Sequence, residues 1–397
     1  MAEVMLAREA LMHLLIGGKQ ERLAAVWDIE STGEWRSVID LAARWGMIPQ
    51  LHAWITSSGI LINEGAGRDL AERLRNASSL SVLVAQTGVE HLRRLAEAGI
   101  ATVLFKGMAS IAHLYSGPGE RTIRDTDILV REEDLERCVE ALERMSVAPA
   151  HEGDLAAYRS SIRWLPGFAG NESLACRCQR FELDLHWRLG PATAPELRVE
   201  RIMDRAVPAT ILGQTVHVVC PVDGLVLSAH HAIRENMAPD GMIKDLIDIG
   251  LWLDLIGRMG RLDEAIRHVD RSGLGPAVYA AATILGRPEN LGPLASALGR
   301  ELVDLFWLQT RQGPVGNDLA HAADPHALMR FFRGALTGWR SYRRQMARFE
   351  IKLSGQRIPI SRRILATGAR LTELNLSKWR MLRALAKAKA DYQYFGR

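Results

Sequence analysis

Apolar positions recur at intervals of three and four through most of residues 1–95, in stretches such as WRSVIDLAARWGMIPQLHAWI and DLAERLRNASSLSVLVAQTGVEHLRRLAEAG. That period belongs to helices that bury one face, and Gly99, after a basic final turn, closes the last of them. At residue 100 the period changes. IATVLF (100–105) is short, β-branched and almost wholly apolar, which predicts a buried strand. Lys106-Gly107 turns the chain into a predicted helix, MASIAHLY, ended by the breaker Ser116-Gly-Pro-Gly119. Asp125–Val130 predicts the next strand, and EEDLERCVEALERM an amphipathic helix with acids in its first turn, where the helix dipole favours them.

Residues 146–180 give no clear period. Arg180–Leu189 (RFELDLHWRL) then alternates strictly, with Glu182, Asp184 and His186 on one face and Phe181, Leu183, Leu185 and Trp187 on the other. After a Pro-containing connection, Gln214–Val219 predicts a further strand. VDGLVLSAHHAIREN and MIKDLIDIGLWLDLIGRM predict two helices joined by a Pro239-Asp-Gly241 turn. Helical segments broken by Gly and Pro continue over 259–325. The expected organisation is a helical region over 1–97, an α+β core over 98–220, a second helical region over 221–325 and a basic helical tail over 326–397.

A chain of 397 residues is long for one core, and 48% hydrophobic with 24% charged residues is the make-up of a globular protein. No apolar run approaches the roughly 20 residues that span a bilayer, and the amino terminus lacks a basic leader, so a cytoplasmic protein is expected. Four cysteines make no disulfide framework, and Cys176-x-Cys178 has the wrong spacing for a zinc knuckle; reduced thiols are expected. The net charge of +4 hides an asymmetry. Residues 330–397 hold seventeen Lys and Arg against three Asp and Glu, a local +14, which leaves 4 − 14 = −10 for the rest. Aromatics are interleaved with the basic residues of this tail. It is suited to RNA, an anionic membrane surface or an acidic partner, or to a helical lid over the acidic remainder.

The chemistry concentrates in residues 101–131 and 180–189. Asp125 and Asp127, two apart on a strand, point to the same face, and two carboxylates so close call for a cation. Hard ions such as Mg²⁺ take such oxygen ligands and borrow the rest from substrate phosphates. A divalent-metal site for phosphoryl or nucleotidyl chemistry is the reading of these residues. The strand–glycine–helix turn at Lys106-Gly107 offers backbone N–H groups to an anion, with Lys106 at its mouth. If the 180–189 strand lies beside Asp125–Val130, Asp184 adds a third carboxylate. Arg121 and Arg124 are either phosphate contacts or counter-charges of the aspartates. His52 and His91 read as packing or surface histidines, and His230-His231 cannot form a helical metal pair. Asp245 and Asp248, beside Lys244, share a helix face in a structural or a supporting role.

The motifs LFKGMASIAHLY, GERTIRDTDILV and FELDLHWRL, in that order, resemble a broad bacterial family of uncharacterised nucleotidyltransferases with the DNA polymerase β-like fold. The likeness extends over roughly 35–260 and not to the basic tail. It implies a small mixed β-sheet core flanked by helical regions, with Asp125, Asp127 and Asp184 as metal ligands and catalytic carboxylates. Lys106, Gly107, Arg121 and Arg124 would bind the nucleotide, Lys106-Gly107 standing where better-known relatives carry Gly-Ser. His186 would position the acceptor or brace Asp184, with Glu182 nearby. The implied reaction moves an NMP, AMP by default, from an NTP to a hydroxyl of a peptide, sugar or small molecule, using two Mg²⁺ ions or Mn²⁺. The alternatives are a non-catalytic RNA- or peptide-binding module using the tail, and kinase-like transfer of the γ-phosphate.

Overall fold

The computed structural model describes residues 2–312 apart from 18, 150–172, 179–180, 190–196, 235–238 and 290. The expectations for the basic tail lie outside these residues. The amino-terminal region is helical throughout, as its period requires: α1 (Ala2–Ile16), α2 (Lys19–Thr32), α3 (Trp35–Trp45), α4 (Ile48–Ser58) and the long α5 (Glu64–Glu97). The side chain of Asn63 caps α5 by accepting from the Ala66 N–H at 2.9 Å.

The sheet then assembles from β1 (Thr102–Leu104), β2 (Asp125–Val130), β3 (Ala148–Pro149), β4 (Ser173–Cys178), β5 (Phe181–His186), β6 (Val207–Ile211) and β7 (Gln214–Val218). Between them come α6 (Lys106–Leu114), α7 (Leu135–Arg144) and α8 (Val199–Asp204). The strand order is β3-β4-β5-β2-β1-β7-β6. Pairing is antiparallel except between β2 and β5 and between β1 and β7, so the sheet is mixed. The expected second strand has the predicted bounds, whereas β1 is shorter than IATVLF.

Three strands escape the hydrophobic pattern, the two-residue β3 among them. Edge strand β6 carries Pro208, which a central strand would not tolerate. It folds back on β7 through Leu212-Gly213, both at positive φ (49° and 77°), the backbone of a type I′ hairpin turn. β4 runs the full length of β5, from Ser173 opposite His186 to Cys178 opposite Phe181.

The carboxyl-terminal helices are α9 (Pro221–Arg234), α10 (Pro239–Arg258), α11 (Leu262–Ser272), α12 (Gly275–Ile284) and α13 (Ala297–Gln312). The expected Pro239-Asp-Gly241 turn is instead the opening of α10, where a proline without an N–H costs nothing. One cluster of buried side chains runs from Ala7 to Phe306, with Trp35, Phe105, Trp252 and Phe306 among its largest members. Cys138, Cys176 and Cys220 are buried thiols.

One close approach fixes which face of the sheet is available. A Cβ on Gly88 of α5 would lie 2.6 Å from Thr126 Oγ1, so the helix backbone presses directly on the Thr126 face of β2. By strand alternation Asp125 and Asp127 face the other way.

Candidate active site

Register brings the acids together. β2 and β5 run parallel with Asp127 opposite Asp184, Asp125 opposite Glu182 and Leu129 opposite His186. One carboxylate oxygen each from Asp127 and Asp184 and one ring nitrogen of His186 lie within 4.8 Å of one another, a spacing that could hold a metal ion. Asp125, the other half of the expected Asp125/Asp127 pair, is not among these three residues. Two residues along a strand cover about 6.6 Å, so Asp184, level with Asp127, is nearer to it than Asp125 is. His186, expected as an acceptor contact or a brace, belongs to the group itself, because the longer imidazole reaches back along β5.

A single oxygen gathers the cationic and imidazole contacts. Lys106 Nζ donates to Asp127 Oδ1 at 2.5 Å, and His186 Nε2 lies 3.1 Å from the same oxygen. Lys106 reaches it from a strained turn: its φ is +48°, left-handed for a side chain with a Cβ, at a cost of about 1–3 kcal/mol. The His186 ring packs perpendicular to Phe105, 4.9 Å between centroids, a contact that restricts its orientation.

These neighbours drive the two central carboxyls apart. Burial alone would raise Asp127, but the Lys106 ammonium and the His186 hydrogen bond hold it at about 2. Asp184 lacks such support: burial, then the charges of Asp127 and Asp125, push it up to about 6. Asp125 is raised by burial and by Asp127. Lys106 is pulled down by burial yet ends above its ordinary value through Asp127, Asp125 and Asp184, and so stays protonated. One carboxylate is permanently charged and another titrates near neutrality, the division of roles that acid–base chemistry uses.

The remaining expected residues divide. Arg124, just before β2, is exposed and lines a cavity of about 540 Å³ with Arg44 and Arg73. Arg121 is instead buried and committed to Asp248 of α10, with its Nη2 2.7 Å and its Nε 2.9 Å from Oδ2. Asp248 also accepts from Ser110 Oγ at 2.7 Å and Tyr115 Oη at 2.8 Å, and this network explains Asp248 structurally. Asp245 pairs with His231 Nδ1 at 2.8 Å. Gly107 is where Arg121 crosses α6: a Cβ there would meet Arg121 Nη1 and Ile123 Cγ2, both at 2.7 Å. Glu182 turns outward to an ion pair with Arg177, its partner on β4. His91 is buried in α5.

One residue that the sequence reading treated only as a neighbour enters here. Lys244 of α10 is half-buried, and burial and Arg121 pull its pKa down while Asp245 and Asp125 raise it. Its signal was a lysine inside the Asp245/Asp248 helix face, a pattern that reads equally well as a surface salt bridge.

The sequence profile of a family described as uncharacterised nucleotidyltransferases matches residues 31–287. The chain belongs to this family. The matched span takes in the whole sheet of this nucleotidyltransferase and the helices from α3 to α12. A search of curated proteins finds no match to the chain. Among the described residues no helix is long and apolar enough to cross a membrane.

Proposed function

We propose that this nucleotidyltransferase moves a nucleoside monophosphate, AMP by default, from an NTP to a hydroxyl of a peptide, sugar or small-molecule acceptor. The observation that carries the reading is the pairing of Asp127 with Asp184 across parallel strands, with His186 completing a three-residue group around one point. The donor set, two carboxylates and one imidazole, fits a divalent cation, Mn²⁺ more readily than Mg²⁺ if the imidazole ligates. Held by Asp127, Asp184 and His186, with Asp125 adjoining, such ions would supply Lewis-acid charge stabilisation to the phosphoryl oxygens.

Each residue then has a task. Asp127, charged at any physiological pH through Lys106 and His186, anchors the site. Asp184, with its carboxyl near 6, is ionised at pH 7 and accepts the proton of the attacking hydroxyl. Asp125 adds charge beside the reacting phosphate. Lys106, whose ammonium holds Asp127 Oδ1, and the α6 turn would receive phosphate oxygens of the substrate. Arg124, exposed just before β2, would be a further contact for the anion.

The test uses purified protein, Mg²⁺ or Mn²⁺, each labelled NTP and panels of hydroxyl acceptors. Pyrophosphate release with an NMP added to the acceptor, lost in Asp127→Asn and Asp184→Asn, supports the reading. An acceptor heavier by one phosphate identifies γ-phosphoryl transfer instead. Turnover undiminished in both variants would sink the assignment.

A further inference from the structure

A second cavity, of about 740 Å³, is walled by α5, by Met145 just beyond α7, and by Leu212 and Gln214 of the β6–β7 hairpin. Because α5 presses on the Thr126 face of β2 while Asp125 and Asp127 face the other way, this cavity belongs to the side of the sheet away from the carboxylates.

His91 lines the cavity although it is only 8% exposed. Its ring has no hydrogen-bond partner among the described residues; the charges of Arg94 and Glu90 alone act on it. Burial, and then Arg94, lower its pKa, so the imidazole is neutral at pH 7 and offers one donor and one acceptor. A buried polar side chain without a protein partner calls for one from outside. Thr87, one turn back, and the carboxamides of Gln86 and Gln214 line the same cavity and likewise lack a side-chain partner among the described residues.

Leu212 adds an independent sign. It is 46% exposed and sits at φ +49°, where type I′ turns favour Asn, Asp or Gly. An exposed leucine contributes little to the core, so its place at a strained corner of the cavity favours a ligand contact. Exposed Leu83, one turn before Thr87, extends the apolar border along α5.

The lining selects its ligand. Glu90 Oε1 accepts from Arg94 at 2.8 Å and from Arg93 at 2.7 Å, so Arg94 is neutralised and leaves no spare charge to recruit an anion. Beyond the imidazole no aromatic ring lines the cavity among the described residues, so a nucleobase or a sugar finds no stacking platform. What remains is carboxamide, hydroxyl and imidazole set among Val82, Met145 and Leu212, the complement of peptide amides flanked by apolar side chains.

We propose that this cavity is a docking site for a short, uncharged peptide segment, whose main-chain amides meet His91, Thr87, Gln86 and Gln214 and whose apolar side chains rest on Leu212 and Met145. The site is separate from the carboxylates and stands whether or not nucleotidyl transfer is the reaction.

The experiment is NMR of the full chain carrying isotopically labelled histidine, its His91 signal assigned through sequential neighbours, during titration with the capped tripeptide acetyl-Leu-Gln-Leu-amide. Wild type is compared with Gln86→Ala/Gln214→Ala, in which both exchanged residues are exposed and folding is spared. The expected result is a saturable shift of His91 in wild type, with an affinity about tenfold weaker in the double variant. A His91 signal unmoved by the tripeptide up to its solubility limit, or equal affinity in the double variant, overturns the proposal. So does a His91 shift produced by inorganic phosphate or glucose and not by the tripeptide. A His91 signal that changes with protein concentration alone would give the cavity to a second copy of the chain and equally overturn it.

Discussion

At the scale of single residues, the site is a contest between burial and charge over two carboxyls. Lys106 and His186 win it for Asp127, and nothing comparable supports Asp184. The stability consequences have opposite signs. Asp184 is raised on folding, so its contribution to the metal-free protein is complete below about pH 4 and is lost as pH rises through about 6. Asp127 is lowered, and its contribution is present above about pH 4 and lost as pH falls through about 2. Metal binding needs the ionised form of Asp184. Mn²⁺ affinity, followed by calorimetry, should therefore fall by about tenfold between pH 7 and pH 5, and the pH dependence should flatten in Asp184→Asn. Asp127→Asn should lower pyrophosphate release by about a hundredfold or more in steady-state assays, since it removes the anchor of both Lys106 and His186.

At the scale of elements, α6 and α10 are clamped together by one ionic network, and the clamp sets the wall of the site. Arg121 is buried and Asp248 is its partner. Asp248→Ala leaves a guanidinium uncompensated in the interior and should cost about 3–5 kcal/mol in urea denaturation. Arg44→Ala, on the surface, should stay within about 0.5 kcal/mol of wild type. Gly107→Ala drives a methyl into Arg121 and Ile123 and should cost about 1–3 kcal/mol, with a further loss of activity because Lys106 precedes it. The same network gives Arg121 a carboxylate partner that its place in the sequence does not reveal. An arginine four residues before Asp125 reads as a phosphate contact until an aspartate more than a hundred residues later is seen to claim it.

At the scale of the whole molecule, the Asp127–Asp184–His186 group spans the β2–β5 pair at the middle of the sheet, so an ion bound there should be felt in global stability. A ligand present at a hundred times its dissociation constant adds about 2.7 kcal/mol to the folded state. Mn²⁺ should raise the melting temperature of wild type measured by differential scanning fluorimetry, a chelator should reverse the shift, and Asp127→Asn and Asp184→Asn should show a smaller one.

What the sequence determined by itself was local. Period alone marked the amino-terminal helices and the bounds of β2, and alternation alone put Glu182, Asp184 and His186 on one face, because backbone geometry dictates both. It failed at β6, where an edge strand accepts Pro208 and closes on an unremarked Leu-Gly turn, and at Pro239, which opens a helix rather than a turn. Tertiary structure decided what those residues meet. The parallel register chose Asp184 rather than Asp125 as the neighbour of Asp127, and the left-handed turn at Lys106 aimed its ammonium at that carboxylate. Packing of α10 paired Arg121 with Asp248 and set Lys244 among the charges of Arg121, Asp245 and Asp125. Strand pairing and helix docking join residues far apart in sequence through the burial of apolar faces, and no spacing along the chain encodes which polar groups are carried together when those faces close.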